Sequence, residues 1–278
     1  MRATRQLYDL SDAHKQFYAA NGYLKDLPPV FDASEIALLS TELKQVERLL
    51  LPGESLMTVR NWHIESRWLY DIASNPQILN YVQGILGSDF YMWGTHFFAK
   101  APNSPDTVAW HQDAYYWPLT PHHTVTVWLA FTDVDEENGA MRVIPGTHDK
   151  GVIRHRRREG DSVLTLELEH GTFDESTAKS LTLKAGQVTL HDDRMVHGSP
   201  ANRSDRWRIG LTMRYSGCDV KCELSRAPWF RAYMMRGADA YRHNPQGEVP
   251  KSRFARLAPD FYGVDERLAA SKGGASLG

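Results

Sequence analysis

From Phe90 onward the chain is a succession of short runs rich in β-branched and aromatic residues, each broken by Gly, Pro or Asp, and this pattern restricts the fold most. Phe90 to Lys100 is aromatic and extended, and Thr124 to Phe131 (TVTVWLAF) alternates. Ala140 to Ile144 is stopped by Pro145-Gly146, and further runs follow at Val163–Leu168, Leu181–Leu183, Gln187–His191 and Trp207–Tyr215. Side chains in a strand alternate between two faces, so runs of this kind predict half-buried strands with turns between them. Many short strands so punctuated predict a sandwich or jelly-roll barrel.

The first quarter reads differently. Ser11 or Asp12 can cap a short helix ending near Asn21-Gly22. Asp32 or Ser34 can cap a second, in which Ile36, Leu39, Leu43, Val46 and Leu50 recur at three- and four-residue spacing until Pro52-Gly53. A third starts at Asn75-Pro76, with proline in the first turn, and ends near Gly87. No internal repeat or linker divides the chain. One domain over 1–278 is expected: a helical part over about 1–88, a β core over about 89–216 and a C-terminal extension over 217–278 whose last residues, 271–278, read as disordered.

A formal net charge of −2 offers nothing to a polyanion, so no nucleic-acid partner is expected. Two cysteines four positions apart, Cys218 and Cys222, make neither a disulfide framework nor a metal clip, and a reducing cytoplasm is the expected location. No apolar run spans a bilayer, and Met1 to Leu10 lacks the apolar segment of a signal peptide. A monomer or homodimer acting on a small molecule is the expectation.

The chemistry concentrates at Trp110-His111-Gln112-Asp113. Residues i and i+2 of a strand point the same way, so His111 and Asp113 converge if the strand continues through them. A histidine and an aspartate so spaced also occur in loops, hydrogen-bonded to backbone. His197, just after a predicted strand, is the candidate for a second imidazole. Two histidines and a carboxylate on one face of an octahedral metal leave three positions open, whereas a structural zinc is closed by four protein ligands. Arg208, at the start of RIGLTMRY, is a fork suited to a carboxylate, and Ser199 adds a hydroxyl.

These residues resemble the phytanoyl-CoA dioxygenase family of iron(II)- and 2-oxoglutarate-dependent oxygenases, in particular the bacterial branch that also contains chlorinating enzymes. The resemblance runs through FFAKAP (97–102), WHQDAYYWPLTP (110–121), VTVWLAFTDVDEENGAMRVIPGTH (125–148) and HDDRMVHGSPANRSDRWRIGLTMRY (191–215), with FYAANGYLKDLPPVF (17–31) similar to the family's opening. It implies an all-β core with flanking helices, a double-stranded β-helix (jelly-roll, cupin-like). It implies iron(II) held by His111, Asp113 and His197, with 2-oxoglutarate and O2 as co-substrates. Arg208 would meet the distal carboxylate of 2-oxoglutarate, assisted by Ser199 and Thr126, with Trp128 beside it. Trp117 and His96 would line the pocket, Asn61 and His63 would contribute walls, and Arg142 would face the pocket or pair with an acidic neighbour. Chlorinating relatives carry alanine in place of the carboxylate. Asp113 stands here, which implies hydroxylation.

The resemblance implies a small polar substrate, as in similar enzymes that take an amino acid, a betaine- or ectoine-like solute, or an aminoalkylphosphonate such as 2-aminoethylphosphonate, and the histidines and arginines near the proposed pocket favour an anionic group such as phosphonate or carboxylate. Two other readings stand beside this one, a non-catalytic metal-binding jelly-roll module and an oxygen-independent cupin-type metalloenzyme. His191 reads as a neighbour of the site and not a ligand. His148 reads as a turn residue and His122-His123 as loop. The basic run 154–158 reads as a solvated loop or a cover over the barrel mouth.

Overall fold

The helical first quarter forms where its caps predict. Ser11 accepts from the His14 amide and opens α1 (Asp12–Asn21), and Gly22 ends it in the left-handed region at φ 76°. Asp32 accepts from the amides of Ser34 and Glu35 to open α2 (Ala33–Glu47). Asn75 caps α4 (Pro76–Leu86), whose first residue is the expected proline. Leu50, expected on α2, falls in the turns after it. A further helix, α3 (Arg67–Ala73), was not expected, and its N-terminal residue Ser66 makes no side-chain cap. The computed structural model describes residues 6–157, 166–169 and 171–258. The expected tail 271–278, Arg158 and the start of the run at Val163 lie outside them. No helix among the described residues is long and apolar enough to cross a membrane.

The strands are β1 (Tyr23–Leu24), β2 (Phe90–Lys100), β3 (Val108–His111), β4 (Leu119–Thr120), β5 (Thr124–Ala130), β6 (Met141–Val143) and β7 (His155–Arg157), then β8 (Leu166–Leu168), β9 (Lys179–Leu181), β10 (Val188–Asp192), β11 (His197–Ser199), β12 (Arg208–Gly217), β13 (Lys221–Cys222) and β14 (Tyr233–Arg236). They form a six-stranded sheet in the order β1-β10-β5-β12-β2-β14 and a four-stranded sheet in the order β3-β11-β6-β9, with two small two-stranded ladders, β13-β4 and β7-β8. Every pairing between these strands is antiparallel.

Period-two alternation gives the large sheet two different faces. Val125, Val127 and Leu129 of β5, Leu211, Met213 and Tyr215 of β12, and Val188 and Leu190 of β10 join one core with Leu39 and Leu43 of α2 and Ile78 and Val82 of α4. Each such aliphatic side chain contributes about 1.5–3 kcal/mol by leaving water. The residues between them, among them Trp128, His191, Arg208, Thr212 and Arg214, turn the other way. They share a cavity with Val108, Met141 and Gly198 of the small sheet. One face of the sheet therefore builds the protein, and the other is left for chemistry.

Candidate metal centre

β3 and β11 are neighbours in the small sheet, with His111 opposite His197. Close approach depends on Gly198, where a Cβ would meet the Val108 carbonyl oxygen at 2.9 Å. The two imidazole centroids are 4.1 Å apart. The ladder stops at His111, and Asp113 opens a 3-10 turn (Asp113–Tyr115). Gln112 keeps extended backbone at φ −116°, ψ 131°, so Asp113 still points to the side of His111 although the strand has ended. The Gln112 side chain fixes this corner. Its Nε2 donates to the carbonyls of Gly151 (2.9 Å) and Arg194 (2.6 Å), and its Oε1 accepts from the Ile153 amide (2.6 Å).

The protonation of both histidines follows from their partners. His111 Nδ1 lies 2.8 Å from the Ala109 carbonyl and His197 Nδ1 2.9 Å from the Met195 carbonyl. A carbonyl only accepts, so each Nδ1 carries the proton and each Nε2 keeps its lone pair. Potential ligand atoms of His111, Asp113 and His197 all lie within 4.8 Å of one another, and all three residues are the buried group among the described residues that a metal could share. His197 is held well below its ordinary pKa, by burial first and then by His111. Burial alone would raise Asp113. The His111 and His191 rings, 3.6 and 3.8 Å away, outweigh it with help from His197 and Arg214, and hold the carboxyl well below the usual range. Two neutral imidazoles and an ionised carboxylate are a donor set that fits a divalent first-row metal and leaves half its octahedron free.

At the other end of the cavity stands Arg208, 2% exposed. Its Nη1 donates to the Gly139 carbonyl (3.2 Å), its guanidinium lies 5.5 Å from the Trp128 ring centroid, and its Nε is buried without a partner. Burial lowers it to about 10, which still leaves it charged. Beside it in register is Lys100, whose Nζ donates to Ser199 Oγ (2.8 Å) and to the Pro200 carbonyl. Burial, then Arg208, pulls Lys100 down to about 7. A buried arginine with an orphan N–H and no acidic partner among the described residues suits an incoming carboxylate. The free space enclosed in the cavity is about 30 Å³.

The remaining expected residues fall into two groups. Trp128 and Ser199 line the cavity with Arg208. His96 is buried on β2 opposite Thr212, its Nε2 donating to the Met57 carbonyl (2.8 Å), and burial keeps it well below its ordinary pKa. Asn61 accepts from the Thr95 amide (3.3 Å), and His63 Nδ1 lies 3.1 Å from Thr95 Oγ1, so both brace β2. Trp117 packs edge-on against Trp93, centroids 4.8 Å apart. One expectation changes, and one that was open is decided. Thr126 stands in register with Arg214 and His191, about 20 Å of strand from Arg208, because β5 and β12 run antiparallel. Its hydroxyl is buried and unpartnered there. For Arg142 the second of its two expected placements holds: it pairs with Glu175 (3.3 Å) and lies over the Trp110 ring (5.4 Å) on the outer side of β6, away from the cavity. The basic run is in part structural, since His155 is buried and its Nε2 accepts from the Gln112 amide (3.1 Å), while Arg154 and Arg156 pair with Glu169 and Glu167.

Arg214, Lys100 and the Asp193–His122 pair (3.1 Å) were not singled out from sequence. Burial pushes Asp193 up to about 6, against the pull of His122. The signal available for Arg214 was its even spacing from Arg208 in RIGLTMRY, which puts both on one face of the strand.

The fold and the donor set together define a non-haem metal oxygenase of the 2-oxoglutarate-dependent kind. The phytanoyl-CoA dioxygenase model matches residues 18–210, more than half of the chain. A "probable alpha-ketoglutarate-dependent hypophosphite dioxygenase" of Stutzerimonas stutzeri is 28% identical over 223 residues, covering 73% of this chain and 77% of that one. Among solved structures, the non-heme monooxygenase ThoJ superposes with a TM-score of 0.74 at 29% identity, over 92% of this chain and 95% of that one. CytC3 with Fe(II) and alpha-ketoglutarate shares the fold at a TM-score of 0.64 and 19% identity, over 90% of this chain and all of that one. The chain belongs to the phytanoyl-CoA dioxygenase family of iron- and 2-oxoglutarate-dependent oxygenases.

Proposed function

We propose that this chain hydroxylates an unactivated C–H bond of a small polar metabolite, in a single double-stranded β-helix domain, with His111, Asp113 and His197 as iron ligands. The observation that carries the reading is the joint presence, in one cavity, of three converging donors and a buried arginine with no acidic partner among the described residues. When bound, iron with 2-oxoglutarate and oxygen supplies the oxidising power for C–H hydroxylation, with succinate and CO2 as products.

The residues account for the rest. Backbone carbonyls hold the two imidazoles in the tautomer that presents Nε2. Asp113 is ionised across the physiological range and supplies the anionic donor; the position it fills is the one that alanine leaves free in chlorinating relatives. Arg208 neutralises the distal carboxylate of the diacid and fixes its orientation, and Trp128 walls that end. Lys100 holds the Ser199 hydroxyl in place as a second support.

The test is spectroscopic. Iron(II) and 2-oxoglutarate added without oxygen should give the visible charge-transfer band of the chelate. In Arg208→Ala the concentration of 2-oxoglutarate needed to half-develop the band should rise by roughly 100- to 1,000-fold, the cost of breaking a buried charge pair. An unshifted titration would count against the role of Arg208. No band in the parent protein would favour a non-catalytic metal-binding module.

A further inference from the structure

A second arginine on the same strand face is provided for as carefully as the first, yet nothing in the reading above uses it. Arg208, Gly210, Thr212 and Arg214 alternate inward along β12, and both arginines line the one cavity. They are six residues, about 20 Å of strand, apart. Arg208 lies at the Ser199 end. Arg214 lies at the metal end, in register with Thr126, whose other neighbour His191 is 3.8 Å from Asp113.

The surroundings of Arg214 hold it still without satisfying it. Its guanidinium is 5.0 Å from the Trp117 ring centroid and 5.8 Å from that of Trp93. Those rings meet edge to face, and Trp93 is anchored by its Nε1 donating to Ser216 Oγ (3.0 Å). Opposite, Gly94 leaves room for the stem: a Cβ there would meet Arg214 Cδ at 3.2 Å. Aromatic faces offset part of the cost of removing a cation from water. The N–H edges remain unsatisfied. Nε is buried with no partner, and the guanidinium makes no hydrogen bond or ion pair among the described residues. Asp113, the carboxylate that acts on it, is committed to the metal cluster.

Charge points the same way. A divalent metal and two arginines exceed by one the charges of Asp113 and a 2-oxoglutarate dianion. Lys100, held near 7 at the far end, adds to the excess when protonated. We propose that Arg214 binds an oxyanion of the organic substrate, a carboxylate or phosphonate, against the Trp93–Trp117 corner, and so places the rest of the substrate beside the metal. This rests on the oxygenase reading and names its substrate class.

Trp93 and Trp117 provide a readout that needs no turnover. The full chain, with iron(II) and 2-oxoglutarate and without oxygen, is titrated with β-alanine and 2-aminoethylphosphonate while tryptophan fluorescence is followed, with ethanolamine as the anion-free control. At least one anionic probe should bind and ethanolamine should not. Arg214→Gln should weaken that binding by about 10- to 100-fold, and Arg214→Lys by less, as expected for a charge-assisted pair. In both variants the chelate band and its 2-oxoglutarate dependence should stay within about twofold of the parent, which also shows that the fold is intact. Equal affinity for the anionic probe in parent and Arg214→Gln, or no binding of either anion by the parent, overturns the proposal. So does loss of the band in both variants, which would make Arg214 a support for Asp113. Absence of the band from the parent would sink the oxygenase reading itself.

Discussion

A histidine ligates a metal only through a nitrogen that keeps its lone pair, and in His111 and His197 the neighbouring backbone makes that choice. Each Nδ1 is tied to the carbonyl two residues back in its own chain, so both rings are preset before any ion arrives. Asp113 is the carboxylate they share, and Asp113→Asn keeps its shape while removing its charge. Iron affinity, read by metal titration of the purified variant, should fall by more than the roughly 10- to 100-fold typical of losing an outer partner. Lys100 gives a second prediction at this scale. Its folded pKa of about 7 lies below the ordinary value of 10.5, so between those values the unfolded chain binds more protons. Stability should therefore rise with pH from about 7 towards 10.5 and be least supported below 7. Denaturant unfolding across that window should show the rise in the parent and its loss in Lys100→Met; parallel curves would refute the assignment.

At the scale of elements, the pairing of β3 with β11 brings the two histidines together, and Gly198 sets how close the strands come. Gly198→Ala forces a Cβ against the Val108 carbonyl. The strain should cost about 1–3 kcal/mol in unfolding measurements, and iron affinity should fall although no ligand has been touched. A variant that binds iron as the parent does would mean that the strand spacing is not what holds the pair. These two strands were also hard to read in sequence, though β1, β4, β13 and β14 gave no signal at all. β2, β5 and β12 announce themselves through long runs of β-branched and aromatic residues. β3 and β11 are four and three residues long and carry histidine, glycine and serine, because their inward faces serve the site and not the core. α3 was missed for a related reason, as its Ser66 makes no capping bond to mark its start.

At the scale of the molecule, one face of the six-stranded sheet packs on helices while the other fronts the small sheet across the cavity. His111, Asp113, His197, Ser199 and Arg208 were legible because their chemistry is unusual for their spacing. Thr126 was misplaced, and Arg142 stayed open between cavity and acidic neighbour, because a strand's register and facing depend on partners far away in the chain, β12 for the one and Glu175 for the other. Arg214 passed unnoticed because an arginine in a β run looks like an edge residue until its two tryptophan neighbours are known. A ligand that binds only the folded state stabilises it by mass action, about 2.7 kcal/mol at a hundred times its dissociation constant. Iron(II) with 2-oxoglutarate should accordingly raise the thermal midpoint of the parent, and the 2-oxoglutarate increment should shrink in Arg208→Ala.

All of this depends on one ion being shared by residues 111, 113 and 197. Crystals grown anaerobically with iron(II) and 2-oxoglutarate, measured on both sides of the iron absorption edge, test it directly. The account predicts a single anomalous peak bounded by His111 Nε2, a carboxylate oxygen of Asp113 and His197 Nε2. A peak elsewhere, or none at that position in crystals shown to contain iron, would contradict it.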